Sequence, residues 1–313
     1  MARMLAIDAK AVGVAEYAHT WIEQRNLKPR TRSGDHDLLR LHIGPMLGKV
    51  PLKNLTREMV RIWYSMLDTD HPRRNSHACG LLHAICATAV SDGLIVSNPS
   101  TITGVMNPPR QRDPAILSVA EVAALADAIK PDRVKALVLL SAWCGVRWGE
   151  VIELRRKDIG KGAEVVMVSG AASHRGKGCR VDMPKSGKAR AVVVPPHIRE
   201  DLKEHLARYV DKEPDALVFP ALRYACHFND SVFAKHFAKA VGRDDVRIHD
   251  LRHFAGTQAA RVGSVTEVMD RLGHSTPRAS LMYQGLASGR AREVADALSA
   301  LAAVGEQGPE SRP

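Results

Sequence analysis

Apolar positions recur at helical spacing through most of the chain. They share one face over 15–24; Thr56 precedes a stripe of Val60, Trp63, Met66 and Leu67; and Leu81, Leu82, Ile85 and Val90 form another. Each stripe predicts an amphipathic helix, the second with Thr56 as its N-cap. Ser118-Val119-Ala120-Glu121 has the capping-box form and opens a helix with Val122, Leu125 and Ile129 on one face. The stretch through Val134, Leu137, Val138 and Leu140 is apolar nearly all round, which predicts a central helix ending near Gly145. Beyond it the period shortens: 165–168, 179–183 and 189–194 favour strands, with glycine-rich turns around Gly176 and Gly187. Helical signals return with a second capping box at Ser264 and Glu267, and with Pro277 suited to a first helical turn. The expected class is mainly α with a small antiparallel β-sheet.

Proline interrupts this pattern between 98 and 114, in Asn98-Pro99 and again in Asn107-Pro108-Pro109-Arg110-Gln111-Arg112-Asp113-Pro114. The organisation expected is a helical unit over 1–104, a linker over 105–116, a larger unit over 117–306 and a disordered tail over 307–313. A formal net charge of +11 implies a field that attracts polyanions, whether DNA, RNA or an anionic membrane surface. With no run of 18 apolar residues and no signal-peptide core, the chain reads as soluble and cytoplasmic, with no membrane partner. Cys79, Cys86, Cys144, Cys179 and Cys226 are scattered without a C-x-x-C pair, which predicts neither a disulfide framework nor a zinc site. The glycines from Gly170 to Gly178, with Lys177, lack the spacing of a nucleotide-phosphate loop, so no cofactor is expected.

Candidate chemistry lies in an ordered polar series: Arg147, Lys185, His249, Arg252, His274 and then Tyr283. A tyrosine is a weak nucleophile at its ordinary pKa of about 10 and needs in-line positioning and help with its proton. Two arginines supply planar forks of donors to non-bridging phosphate oxygens, where charge redistributes in a pentacoordinate transition state. Two histidines add donors or move protons. A lysine can protonate a departing 5′-oxygen that would otherwise leave as an alkoxide; Lys185 is the candidate and Lys188, in the same basic turn, its rival. No metal is required when arginines carry the electrostatic role. Seen singly, each residue has a plainer reading: a surface arginine, a solvated hairpin tip, a helix-packing histidine (His253 as much as any) or a half-buried tyrosine. Independent plain readings do not predict the order.

The sequence resembles the tyrosine recombinase family, the phage integrase type in particular. The resemblance rests on Gly145-Val146-Arg147-Trp148-Gly149-Glu150 with Leu154 and Asp158, on Pro184-Lys185-Ser186-Gly187, on His249-Asp250-Leu251-Arg252-His253, and on Leu272-Gly273-His274 followed by Tyr283. It implies that Arg147 and Arg252 are the catalytic arginines, Lys185 the β-hairpin lysine, His249 and His274 the histidine positions, and Tyr283 the nucleophile. The first unit then corresponds to the family's helical core-binding domain, closing with the catalytic domain around duplex DNA. The resemblance further implies a homo-tetramer on double-stranded attachment or crossover sites, and a helix over 291–304 that docks on a neighbouring protomer. DNA contacts are expected from Lys28, Arg30, Arg32 and Arg40 near a basic helix start, from Arg110 and Arg112 in the linker, and from Lys188 and Arg190.

Many phage integrases carry an additional N-terminal domain that binds arm-type sites, and only a short segment precedes the first helix here. Either the recombinase works without arm sites or a piece has been removed, so dependence on a DNA-bending or directionality protein stays open. Two rival functions are weighed against recombination for integration or excision of a mobile element. A type IB topoisomerase would use similar side chains, but the compact spacing and two-domain length favour a recombinase. A catalytically silent DNA-binding regulator would show decay of the polar set, which is intact.

Overall fold

The structure is a computed structural model that describes residues 12–106, 108, 112–175, 178–221 and 226–286. The chain divides into two units, Met1–Arg112 and Asp113–Pro313. In the first, α1 (Val14–Gln24) is followed by α2 (Pro29–Leu38), which runs through a π-helical turn into α3 (Gly44–Leu47). Then come α4 (Arg57–Ser65) and α5 (Pro72–Ser91). Thr56 caps α4 as its position predicts, its hydroxyl accepting the Met59 N–H at 3.2 Å. Trp63 and Val60 are buried with Tyr17, Ile22, Ile43, Leu82 and Ile85. Met66, read as part of the same stripe, is the C-cap and 71% exposed, because the helix stops one residue short of it. The polar ends of the aromatic core find partners: Trp63 donates to the His42 carbonyl at 2.7 Å, Trp21 to Thr88 at 2.8 Å and Tyr17 to Asp92 at 2.9 Å.

The second unit opens with α6 (Val119–Ala128), where the Ser118 hydroxyl accepts the Glu121 N–H and Glu121 accepts the Ser118 N–H, closing the expected box. Next, α7 (Lys135–Leu139) continues as a π-helical turn, Leu140–Cys144, and ends at Gly145 in the left-handed region, φ +65°. Residues 136–142 are all buried, in keeping with their apolar composition. A short helix, α8 (Trp148–Glu153), leads to β1 (Val165–Val168), β2 (Ala171–Arg175), β3 (Gly178–Asp182) and β4 (Arg190–Val193). The rest is helical: α9 (Arg199–Tyr209), α10 (Asp230–Val241), α11 (Ile248–Val262), α12 (Val265–Leu272) and α13 (Pro277–Leu286). Leu137, Val151, Val192, Leu202, Phe233 and Phe254 bring α7 to α11 and the outer strand pair into one core, while Val268 and Leu272 of α12 and Tyr283 of α13 pack with Ala255 and Ala260 in a second cluster.

Both strand pairs are antiparallel. Val165 faces Val193 and Val168 faces Arg190 across β1 and β4, whereas Ala171 faces Asp182 and Arg175 faces Gly178 across β2 and β3. The hairpin β2–β3 is thus inserted between the two strands of the outer pair. Strand β2 was not among the expected strands; Ala-Ala-Ser-His-Arg has little β-propensity and is held by its partner.

The cysteine expectation needs correction: Cys179 of β3 and Cys226, 47 residues later, form a disulfide. Their contact is created by folding and leaves no local spacing signal. Cys79, Cys86 and Cys144 are buried free thiols. The helix expected over 291–304 and the tail over 307–313 lie outside the described residues. Among the described residues, no helix is long and apolar enough to cross a membrane.

Candidate active site

Two helix starts set the frame of the site. At α8 the Glu150 carboxylate accepts the Arg147 N–H at 2.9 Å, and at α11 Asp250 accepts the Arg247 N–H at 2.8 Å. A carboxylate in a first helical turn satisfies an orphan donor and meets the positive end of the helix dipole. Asp250, inside the His-Asp-Leu-Arg-His motif, thereby fixes where α11 begins. Helical spacing then places His249, Arg252 or His253, and Gly256 along successive turns of α11.

Each arginine is anchored to backbone as well as to charge. Arg147 pairs with Glu150 at 2.8 Å and donates to the Gly273 carbonyl at 3.1 Å. Arg252 is buried; one arm of its fork donates to the Gly145 carbonyl and the other to Leu272 at 2.6 Å. Both acceptors belong to helix ends where glycine takes a left-handed conformation, Gly145 at φ +65° and Gly273 at φ +63°. The guanidinium thus satisfies carbonyls that a helix end leaves without partners.

Tyr283 reaches this cluster from α13 and is 2% exposed. Its ring stacks on His274, centroids 5.8 Å apart and planes within 10°. On another side it lies 5.8 Å from His253, whose ring stands 4.9 Å from His249. Gly256 makes room for it: a β-carbon there would sit 2.7 Å from three ring carbons. Gly256→Ala should therefore displace the phenol and slow covalent attachment to DNA by roughly 10- to 100-fold, as expected for a misplaced reacting group, while DNA affinity stays unchanged. A single-turnover cleavage assay beside a binding titration checks this, and a wild-type rate would refute it.

The site is positively charged and partly dry, and the titrating groups respond. Burial pulls His274 down to about 4, with Arg252, Arg147 and Arg190 adding to the effect, so the imidazole is neutral at pH 7. Its Nδ1 lies 2.7 Å from the Ser280 hydroxyl; when that hydroxyl donates, Nε2 carries the ring proton and can offer it to a phosphate oxygen. His249 reaches solvent at its edge, yet desolvation of the ring and then the Arg252 charge lower it as well. Burial raises Tyr283, and the two arginines act against that rise. Burial also lowers Arg252, to about 9, with Arg147 adding repulsion; it stays protonated at neutral pH.

Behind the arginines sits a residue that motif reading named without a role. Glu150 is 1% exposed and accepts hydrogen bonds from both Arg147 and Arg190. Burial alone would raise its pKa, but the Arg190 hydrogen bond and charge, with help from Arg147, hold it at about 2. Arg190 was expected on a DNA-facing turn. It is instead turned inward, its side chain 9% exposed, bonded to Glu150 at 2.7 Å and to the Arg271 carbonyl at 3.2 Å.

Of the remaining expected residues, Lys185 lies exposed on the turn between β3 and β4, and its charge is felt at His249. Lys188 is exposed on the same turn. Lys28 and Arg30 are exposed at the start of α2. Arg32 is engaged within the first unit, with Glu23 at 2.8 Å and with the carbonyls of Ile22, Glu23 and Arg25; Arg40 pairs with Asp37 at 3.0 Å. Arg112 closes the first unit, and Arg110 lies outside the described residues. The structure brings together Arg147, Arg252, His249, His274 and Tyr283, with Glu150, Arg190, Gly256 and Ser280 as supports that sequence reasoning did not assign. The i, i+3 relation of Arg147 to Glu150 was the available signal for one of them; for Arg190, Gly256 and Ser280 no local signal existed.

Comparison with known proteins places the chain in a family. The model of the phage integrase family matches residues 116–288. A prophage phiRv2 integrase of Mycobacterium tuberculosis is 38% identical over 301 residues, covering 94% of this chain and 80% of that protein. The integrase of Mycobacterium phage D29 is 35% identical over 305 residues, covering 95% and 80%. Among solved structures, the Tn1549 transposon integrase in complex with circular intermediate DNA is similar with a TM-score of 0.75 at 17% identity, over 87% of this chain and 95% of that one. A lambda integrase tetramer bound to a Holliday junction is similar with a TM-score of 0.68 at 16% identity, over 87% and 77%. These two likenesses establish the fold, and the sequence matches establish the lineage: the chain belongs to the phage integrase family and is a site-specific tyrosine recombinase.

Proposed function

We propose that the protein integrates or excises a mobile DNA element by cutting and rejoining strands at double-stranded attachment sites through Tyr283. Its phenolic oxygen attacks the scissile phosphate and becomes linked to a DNA 3′-phosphate, while the 5′-oxygen departs with a proton from Lys185. Arg147 and Arg252, with neutral His274 as a hydrogen-bond donor, stabilise the phosphorane. His249, its pKa lowered by desolvation and then by the Arg252 charge, assists proton transfer. Because the phosphotyrosyl bond conserves the energy of the one it replaces, no nucleotide is consumed. The observation that carries this reading is the packing of Tyr283 against His274 beside two arginines whose charges reach its phenol.

By likeness to a neighbour described as a tetramer on a Holliday junction, and to others bound to DNA, the working form is a homo-tetramer on DNA. Of the cations expected at DNA, Lys28, Arg30 and Lys188 are exposed and offered to the phosphate backbone; Arg32 and Arg40, held in ion pairs, are weaker contributors.

The test is covalent trapping on a nicked suicide substrate carrying the native crossover site. Wild type should form a denaturant-resistant adduct, and Tyr283→Phe should form none. No adduct from wild type bound to that site would overturn the assignment. Lys185→Ala should cleave at least about 100-fold more slowly and be rescued selectively by a 5′-phosphorothiolate, whose leaving group needs no proton. Equal rescue of an arginine variant would remove Lys185 from the acid role and promote Lys188 as the next residue to test.

A further inference from the structure

Outside the recombinase site, three metal-ligating side chains converge where the inserted hairpin meets the segment before α10. His174 of β2, Cys179 of β3 and Cys226 each bring one ligand atom within 4.8 Å of the others. His174 and Cys179 are direct register partners, so the antiparallel pairing itself sets them on one face of the hairpin. The third residue is brought in by tertiary folding, and its thiol is joined to Cys179. A disulfide needs two sulfurs and makes no use of an imidazole beside them.

We propose that, when this disulfide is reduced, Cys179, Cys226 and His174 bind one thiophilic divalent cation, zinc being the ion whose preferences the donor set fits. Two thiolates and an imidazole form a soft and borderline set that disfavours magnesium and calcium. Sulfurs bound to one tetrahedral zinc at about 2.3 Å stand about 3.8 Å apart. Cysteines whose α-carbons are 5.9 Å apart can span either separation by side-chain rotation. His174 Nε2 lies 3.1 Å from the His227 carbonyl, the outer contact that orients metal-bound imidazoles; with the proton on that nitrogen, Nδ1 keeps the lone pair. Cys226 is exposed, which gives the ion an entry path and leaves a fourth position to water.

The chemistry balances. A phosphine with one water converts the disulfide to two thiols and a phosphine oxide, and binding then releases both thiol protons to buffer. Disulfide and zinc site are alternative closures of the same two cysteines, the second also drawing in His174, chosen by redox conditions. Either one ties β3 to the segment before α10, and β3 ends at Asp182, three residues before Lys185. The tie itself is at Cys179, near the start of β3 and six residues before Lys185, so it anchors the strand that leads into the turn carrying the lysine.

The inference concerns the hairpin and the segment before α10 and does not depend on the recombinase assignment. The full chain, reduced by a phosphine without oxygen and verified by thiol counting, is titrated with cobalt(II). The expected result is one equivalent bound, with thiolate-to-cobalt charge transfer and tetrahedral ligand-field bands that zinc abolishes. Cys226→Ser should lose the charge-transfer band, and His174→Ala should weaken binding by at least the roughly 10- to 100-fold that loss of an outer contact costs. Circular dichroism of each variant separates a lost ligand from a lost fold. X-ray absorption of zinc-loaded wild type reads the ligands without any substitution and should show two sulfurs. A fully reduced protein with no charge-transfer band, a band that survives Cys226→Ser, or a zinc shell without sulfur would each overturn the proposal. His19, Glu23 and His36 in the first unit also lie close together, but carboxylate and imidazole cannot produce the thiolate band.

Discussion

Arg252→Ala should cut the rate of strand cleavage by roughly 100- to 1,000-fold, the loss seen when one preorganised donor to a developing anion is removed. It should also destabilise the second unit. The buried guanidinium serves two carbonyls, Gly145 and Leu272, and orphaning them costs roughly 1–3 kcal/mol each. Arg252→Lys should recover little of either loss, because a single ammonium cannot span two acceptors that a planar fork bridges. Single-turnover cleavage and urea unfolding, measured on the same preparations, test the two effects together. A lysine variant with near wild-type cleavage would show that charge alone matters at this position.

Glu150→Gln should lower stability by roughly 3–5 kcal/mol, the range for removing one partner from a buried ion pair, since Arg147 and Arg190 both lose their carboxylate. The sign of its pH dependence follows from the direction of the shift. The carboxyl titrates at about 2 in the fold against an ordinary 4.5, so its contribution is fully present above about pH 4.5 and is lost as pH falls toward 2. That depression corresponds to about 3 kcal/mol. Urea melts of wild type and variant should be far apart at pH 7 and converge on acidification. Equal midpoints at pH 7 would show that the carboxylate does not hold the arginines. Cleavage should fall as well, because Arg147 would keep its charge but lose the contact that aims it.

The structure shows why some of this was legible and some was not. Thr56, Ser118 and Ser264 mark helix starts through contacts within one turn, and Pro277 through its fixed φ, and such signals are written in adjacent positions. The six polar residues were read as an ordered series, although it is the fold, and not the spacing, that gathers five of them and leaves Lys185 on an exposed turn. Arg190 misled because its neighbours Lys185 and Lys188 are exposed, while its partner Glu150 stands 40 residues earlier. Gly256 carries no side chain to announce that a tyrosine 27 residues later will rest on it. Cys179 and Cys226 belong to the same class: their pairing is a property of the closed fold. Strand β2 failed for a different reason, since its alanines and serine give no alternation to read.

Arg252 sits where two helices end, and this placement ties the chain's evolutionary options together. In many enzymes a reactive residue is held against the interests of the fold, so that its loss leaves a sturdier, inert scaffold. Here Arg252→Ala also leaves the carbonyls of two helix termini without their donor. A lineage drifting toward a DNA-binding protein without strand cleavage would meet a folding defect at that step. It would sooner surrender Tyr283 or Lys185, neither of which closes a helix end, and relics of such drift should keep their arginines longest.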